Sequence, residues 1–230
     1  MGADGTRESF KTLGLSREGR PVQGRLYPGS SAPSSRGPRL LVFGGIHGDE
    51  PASVDAVLEW GGRLEGRGHA ADVWLVPAVN PDGLVLGRKN NAADVDLNRN
   101  FPARNFMRSH PPGYDPGPAP LSEPETAVLA GLLDEAAIDA VVAVHAPFAC
   151  VNFDGPAREW AESVATASGW PLRADIGYPT PGSLGSWWGG DRSRPILTVE
   201  LPAGPLDFFR PQALAALNRA LDWWNPSEAL

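Results

Sequence analysis

The sequence predicts an α/β fold in which helices flank a mixed, largely parallel sheet. Short apolar, β-rich runs occur at 39–43, 72–76, 140–144 and 196–201, each bounded by Gly, Pro or polar residues. Longer stretches of helical character lie at 51–63, 123–137, 157–168 and 211–224. Strands that alternate with helices are joined by crossovers, and crossovers leave neighbouring strands parallel.

An early strand at 22–27 leads into PGSSAPSSRGP at 28–38, which reads as a flexible hairpin loop before the first buried strand. The helix at 51–63 opens on Pro51, tolerated in a first turn because the N–H it lacks would have no helical partner. NPDG at 80–83 is a turn signal after the second strand. Residues 87–120, rich in Asn, Pro and Gly, are too long to be left structureless without reason, so they read as an ordered loop that builds a site. Pro124 sits in the first turn of the next helix, where Ser122 and Glu125 have capping-box spacing.

A chain of 230 residues can bury one substantial core, and residues 1–230 are expected to form a single domain. The formal net charge of −7 argues against non-specific binding of nucleic acid or anionic membrane. No apolar run is long enough to span a bilayer, and MGADGTRESFKTLG has no apolar segment behind a basic one, so a cytoplasmic location is expected. The single cysteine, Cys150, cannot form an intramolecular disulfide, in keeping with a reducing compartment.

His47 and Glu50, in FGGIHGDEPAS, stand three apart where a strand turns into a helix. Alone, the pair reads as a charged surface turn. Catalytic zinc, however, takes three His or carboxylate ligands and keeps a position open for water. His145, following the apolar run DAVVAV and preceding Ala146 and Pro147, stands at a strand end and can supply the third. His69 and His110, in Gly/Pro-rich settings, read as surface residues.

VDLNRNFP at 95–102 is too polar for a core strand. It is either a solvated turn or a clamp in which Asn98 and Arg99 hold a carboxylate, for which a guanidinium fork is suited. Glu200 falls inside the β-branched run ILTVELPAG, where an unpartnered carboxylate would cost several kcal/mol, which marks it for function. Cys150 near His145 raises the alternative of a thiol nucleophile, against the simpler reading of a buried apolar thiol.

In this order, HGDE, NPDG, DLNRNF, SEPE, the lone His145 and TVELP resemble the zinc carboxypeptidase family, from LGLSREGRPV to about Pro202. The resemblance implies a mixed eight-stranded sheet and one zinc ion on His47, Glu50 and His145. It also implies Glu200 as general base and Asn98 with Arg99 on the substrate's terminal carboxylate. By the same resemblance Arg88, in LGRKNN, is most similar to the arginine that stabilises the oxyanion, and Tyr178, ahead of Gly182, Ser183 and Trp187, to the tyrosine that caps the substrate.

Within the family, GDEPAS, SEPET, HAP, YPTPGSLGSW and TVELP are similar to bacterial murein peptide amidases, which cleave the γ-D-glutamyl–diaminopimelate bond. The implied substrate is a small peptide with a free carboxylate. Asp175, Arg173, Asp191, Arg192 and Arg194 flank the specificity loop and are candidates to read the diaminopimelate side chain. The alternatives are an N-acyl amino acid deacylase of the aspartoacylase or succinylglutamate desuccinylase type, and a non-catalytic module that keeps the metal pocket for recognition.

Overall fold

The computed structural model describes residues 9–30 and 36–225. Eight strands form one sheet: β1 (Lys11–Leu15), β2 (Pro21–Tyr27), β3 (Arg39–Phe43), β4 (Asp72–Val76), β5 (Ala140–His145), β6 (Phe148–Asp154), β7 (Leu172–Arg173) and β8 (Ile196–Pro202). Their order across the sheet is β1-β2-β4-β3-β5-β8-β6-β7. The centre, β4-β3-β5-β8, is parallel, whereas β1, β2 and β6 run antiparallel to their inner neighbours.

The helices are α1 (Pro51–Leu64), α2 (Pro81–Leu86), α3 (Pro124–Glu135), α4 (Arg158–Ser168) and α5 (Arg210–Asp222). One face of the sheet packs through Val42, Val144 and Val199 against α1, α4 and α5, with Trp60, Trp160 and Leu217 at the contact. The other face packs through Leu41, Phe43 and Val141 against α3 and Leu97, Phe101 and Trp187. Burial on both faces explains why β3 and β5 read as continuous apolar runs.

The connection after β3 runs to β4 on one side, and the next central strand, β5, lies on the other. The carboxyl ends of β3 and β5 therefore border the point where strand order reverses, the usual crevice for a ligand in an open α/β sheet.

The loop at 87–120 forms a packed layer held by buried asparagines. Asn100 donates to the carbonyls of Pro116 and Ala119, and its oxygen accepts from Glu123 N and Thr126 Oγ1. Phe101 stacks on Trp187 with ring centroids 5.8 Å apart.

Several sequence expectations are corrected. Ser122 and Glu125 make no capping box: Ser122 Oγ donates to Glu123, while Glu125 accepts from Arg17 N and Asn91 Nδ2. The long-range amides of the loop outcompete the local cap. NPDG opens α2, with Asn80 as N-cap accepting from Gly83 N. β2 pairs with β4 and not with β3, so 28–38 crosses over a strand and is no hairpin; its residues 31–35 lie outside the described residues. His69 is buried, its Nδ1 bonded to the carbonyl of Ala71, while His110 is exposed as expected.

Two glycines shape the turn after β3. Gly45 has φ +59°, and a Cβ on Gly48 would lie 2.0 Å from the Gly83 carbonyl carbon. Gly48→Ala is therefore expected to lower unfolding free energy by about 1–3 kcal/mol, as overpacking does, and to weaken metal binding by moving His47. Denaturant unfolding with zinc titration checks this; unchanged stability and affinity would refute the close approach.

Candidate metal centre and active site

The turn beyond Phe43 is tied to α1 by Ser53, whose Oγ accepts from Gly45 N and donates to the carbonyl of Glu50. Glu50 is the N-cap residue of α1, yet its side chain caps nothing, which frees the carboxylate. Its Oε1 lies 2.7 Å from His47 Nδ1 and its Oε2 3.2 Å from His145 Nδ1. Ala146 N donates to the same Oε2. The two imidazoles are T-shaped at 5.0 Å.

His47 Nε2 lies 3.2 Å from Asp96 Oδ1. A carboxylate only accepts, so without metal both ring nitrogens carry protons, Nε2 towards Asp96 and Nδ1 towards Glu50; once the Nδ1 proton is lost, Asp96 holds Nε2–H and the Nδ1 lone pair faces a metal. Asp96 is fully buried, accepts from Asn98 N, and pairs with Lys89 Nζ at 2.6 Å. Burial would raise the Asp96 carboxyl, but His47, Arg99 and Lys89 outweigh it and hold it well below the usual range. Glu50 behaves alike: burial raises it, and His145 and His47 bring it down. Burial also opposes charge on His47, yet Glu50 and Asp96 raise its pKa to about 10 in the metal-free site.

This donor set suits zinc. One carboxylate oxygen and two imidazole nitrogens lie within 4.8 Å of one another, and each group is oriented from behind.

Glu200 lies directly beside His145 across the β5–β8 ladder, so both side chains leave the same face. It is 5% exposed, and its Oε2 has no hydrogen-bond partner among the described residues. Burial raises its pKa; His145 acts in the opposite sense, and Glu50 adds to the rise. A carboxylate so placed is suited to hold and release a proton.

A cavity of about 550 Å³ joins His47, Glu50, His145 and Glu200 to Asn98, Arg99, Tyr114 and Tyr178. Asn98 and Arg99 lie on a single 3-10 turn, Leu97–Arg99. Asn98 Oδ1 accepts from Leu184 N, which leaves its NH₂ to donate, and Arg99 Nη1 is anchored on the Asn98 carbonyl. Tyr178 stands edge-on to Tyr114 and Phe148, and burial raises its pKa, opposed by Arg99.

Arg88 is the expectation that the structure contradicts. It is exposed, it donates to the carbonyls of Asn91 and Ala92, and it does not line the cavity. The chain turns there so that Lys89 faces inward, over the Tyr114 ring at 3.6 Å. Asp96, which the sequence does not single out as a site residue, is the acid that holds His47 from behind, whereas Asp49, next to Glu50, is exposed at the rim. The available signal was an acid, Asp96, opening the polar run DLNRNF just ahead of the Asn98–Arg99 pair.

Of the charged candidates for side-chain recognition, only Asp175 lines the cavity, and it is exposed. Asp191 accepts from Arg104 N, Arg192 pairs with Asp134, and Arg194 lies 3.9 Å from Asp139. Arg173 is exposed and outside the cavity. Cys150 is fully buried and outside it too, and burial, followed by Glu200, pushes its thiol pKa up, which removes the thiol-nucleophile alternative.

A triad able to hold a metal, a carboxylate beside it with one oxygen free of hydrogen bonds and an Asn–Arg pair in one cavity define a metallohydrolase site. The zinc carboxypeptidase family model, peptidase M14, matches residues 4–155. The chain is 35% identical to murein peptide amidase A of Escherichia coli K12, covering 94% of this chain and 93% of that one. The crystal structure of murein-tripeptide amidase from Escherichia coli O157 is similar, with 32% identity, TM-score 0.75, and 95% of this chain and 93% of that chain covered. A shorter similarity, 31% identity over 44% of this chain and 30% of the relative, is to N-alpha-acetyl-L-2,4-diaminobutyric acid deacetylase of Halomonas elongata. The chain belongs to the zinc carboxypeptidase family.

Asp96→Asn is expected to weaken zinc binding by about 10- to 100-fold, the usual effect of losing a group that orients a ligand. In the native protein His47 must shed a proton before Nδ1 can bind metal, so zinc affinity rises with pH through neutrality towards about 10. Chelator competition from pH 6 to 9 measures both; a pH-independent affinity or an unaffected variant would contradict this arrangement.

Proposed function

We propose that this protein hydrolyses the γ-D-glutamyl–meso-diaminopimelate bond of small murein peptides, using one zinc ion, as a single catalytic domain in the cytoplasm. The observation that carries the reading is the joining of the triad, Glu200 and the Asn98–Arg99 pair in one cavity. The 35% identity to a murein peptide amidase over nearly the whole length supports the choice of substrate. Among the described residues no helix is long and apolar enough to cross a membrane.

His47 Nδ1, His145 Nδ1 and the Glu50 carboxylate would hold the zinc. When bound, it would polarise the scissile carbonyl and lower the pKa of water at the site. Glu200 takes the proton of the attacking water on its carboxylate and passes it to the nitrogen of the leaving amine. Asn98 and Arg99 grip the carboxylate next to the scissile bond, and Tyr178 closes over the substrate. That clamp is what confines cleavage to an amide beside a free carboxylate. Lys89, in place of Arg88, is the cation that offsets charge developing on the carbonyl oxygen.

The zinc-loaded protein is expected to release diaminopimelate from L-Ala-γ-D-Glu-meso-diaminopimelate, followed by mass spectrometry. Folded, zinc-bound Glu200→Gln should be slower by about 100- to 10,000-fold, the range for a lost acid–base group. An inert murein peptide, with turnover of acetylaspartate or succinylglutamate instead, would move the assignment to the deacylases.

Lys89→Met should lower kcat by about 100- to 1,000-fold, as loss of one preorganised oxyanion partner does, and Arg88→Ala should stay within about twofold. Equal losses in the two variants would contradict the assignment of Lys89.

A further inference from the structure

Asp154, the last residue of β6, is a cavity residue that nothing in the reaction above employs. On the antiparallel β6–β8 ladder, Cys150 pairs with Glu200, Asn152 with Thr198 and Asp154 with Ile196. Alternation along a strand puts Asn152, Asp154, Thr198 and Glu200 on one face, and all four line the cavity. They form a floor that starts at the proton-transferring carboxylate and ends at a second carboxylate. Along the strand, the four steps from residue 150 to residue 154 span about 14 Å at about 3.4 Å each. A short leaving-group side chain leaves this floor bare, whereas a long one reaches its far end.

The Asp154 carboxylate is half-buried and has no hydrogen bond or ion pair among the described residues. Loss of water without a partner is unfavourable for a charged carboxylate, so the position is built to receive a counter-ion. Its setting is fitted to it. The π-helical turn Gly185–Asp191 closes directly onto Asp154, where a Cβ on Gly185 would lie 2.3 Å from Oδ2 and one on Gly189 2.4 Å from the Asp154 Cβ. Beside it, Asn152 donates its amide to the carbonyl of Arg173, which leaves its own side-chain oxygen as a further acceptor. The arginines that follow the π-helical turn lie outside the cavity and are engaged elsewhere: Arg192 pairs with Asp134, and Arg194 neighbours Asp139. Asp175, the other acid near this end, is exposed, and its Oδ1 already accepts from Gly177 N.

We infer that Asp154 is the specificity-determining residue of the leaving-group pocket, and that it binds the ammonium at the end of a long side chain on the released amino acid. This rests on the proposed peptidase reading for its orientation, in which the released residue's carboxylate lies on Asn98 and Arg99. The pocket would then favour a diamino acid over an apolar residue of equal length. Arg99 and Asp154 hold its two charged ends while Glu200 works at the amide between them.

The test uses the zinc-loaded full chain and two peptides, L-Ala-γ-D-Glu-L-Lys and L-Ala-γ-D-Glu-L-norleucine, which differ by the terminal ammonium, together with free lysine and free norleucine as binding probes. Native protein should favour lysine over norleucine by about 10- to 100-fold in kcat/KM and in calorimetric affinity, the range for a hydrogen bond to a charged group. Asp154→Asn, with zinc content and melting temperature as folding controls, should lose that preference while norleucine values hold within about threefold. Asp175→Asn should keep it. Equal binding of the two free amino acids by native protein, or a preference that survives Asp154→Asn, would overturn the inference. If neither peptide is cleaved but free lysine still binds better in an Asp154-dependent way, the inference stands and the peptidase reading fails.

Discussion

Glu50 sits between two imidazoles at the end of a buried sheet, and the rest of the site depends on how that cluster is neutralised. Glu50, Asp96 and Glu200 are three carboxylates within one largely buried region. Burial works against the charge of each, so their ionisation requires positive partners close by. His47 and Lys89 answer Asp96, the two histidines answer Glu50, and a divalent ion, when bound on the proposed triad, would complete the balance. Glu200 is left without a hydrogen-bond partner on Oε2, and that leaves it able to exchange a proton.

The scaffold supplies these positions through strand register. β3 leads into the turn bearing His47 and Glu50, while β5 and β8 place His145 directly beside Glu200. β6 then extends the same face from Cys150 to Asp154, so His145, Glu200, Asn152 and Asp154 share one surface of one sheet. The opposite wall is the 87–120 loop, rigid because Asn91 and Asn100 spend their amides on Glu123, Pro116 and Ala119. It presents Asp96 behind the metal site and Asn98 with Arg99 in front of it.

Much of this was legible in the sequence, for physical reasons that also mark where legibility stopped. β3 and β4 match the apolar runs at 39–43 and 72–76, since central parallel strands must be apolar on both faces. β6 was missed because it carries Asn152 and Asp154 towards a cavity, which breaks the apolar pattern at functional positions. β1 and β7 lie at the sheet edges, where solvent tolerates a mixed composition. His47, Glu50 and His145, which the structure brings together, could be singled out because few residue types ligate a metal, and Glu200 because a carboxylate in an apolar strand is costly. Which of the adjacent cations Arg88 and Lys89 faces the cavity was not legible, since they differ only in which way the backbone turns. The capping box failed through competition: Asn100, distant in sequence, satisfies Glu123 N.

The proposed single zinc ion on His47, Glu50 and His145 is tested most directly by X-ray absorption at the zinc edge on reconstituted protein, with metal analysis of the same sample. The account predicts one zinc per chain, two imidazole nitrogens at about 2.0–2.1 Å and oxygen ligands at about 2.0–2.2 Å. A sulfur ligand at about 2.3 Å, which only Cys150 or a methionine could supply, or zinc without imidazole scattering, would contradict it.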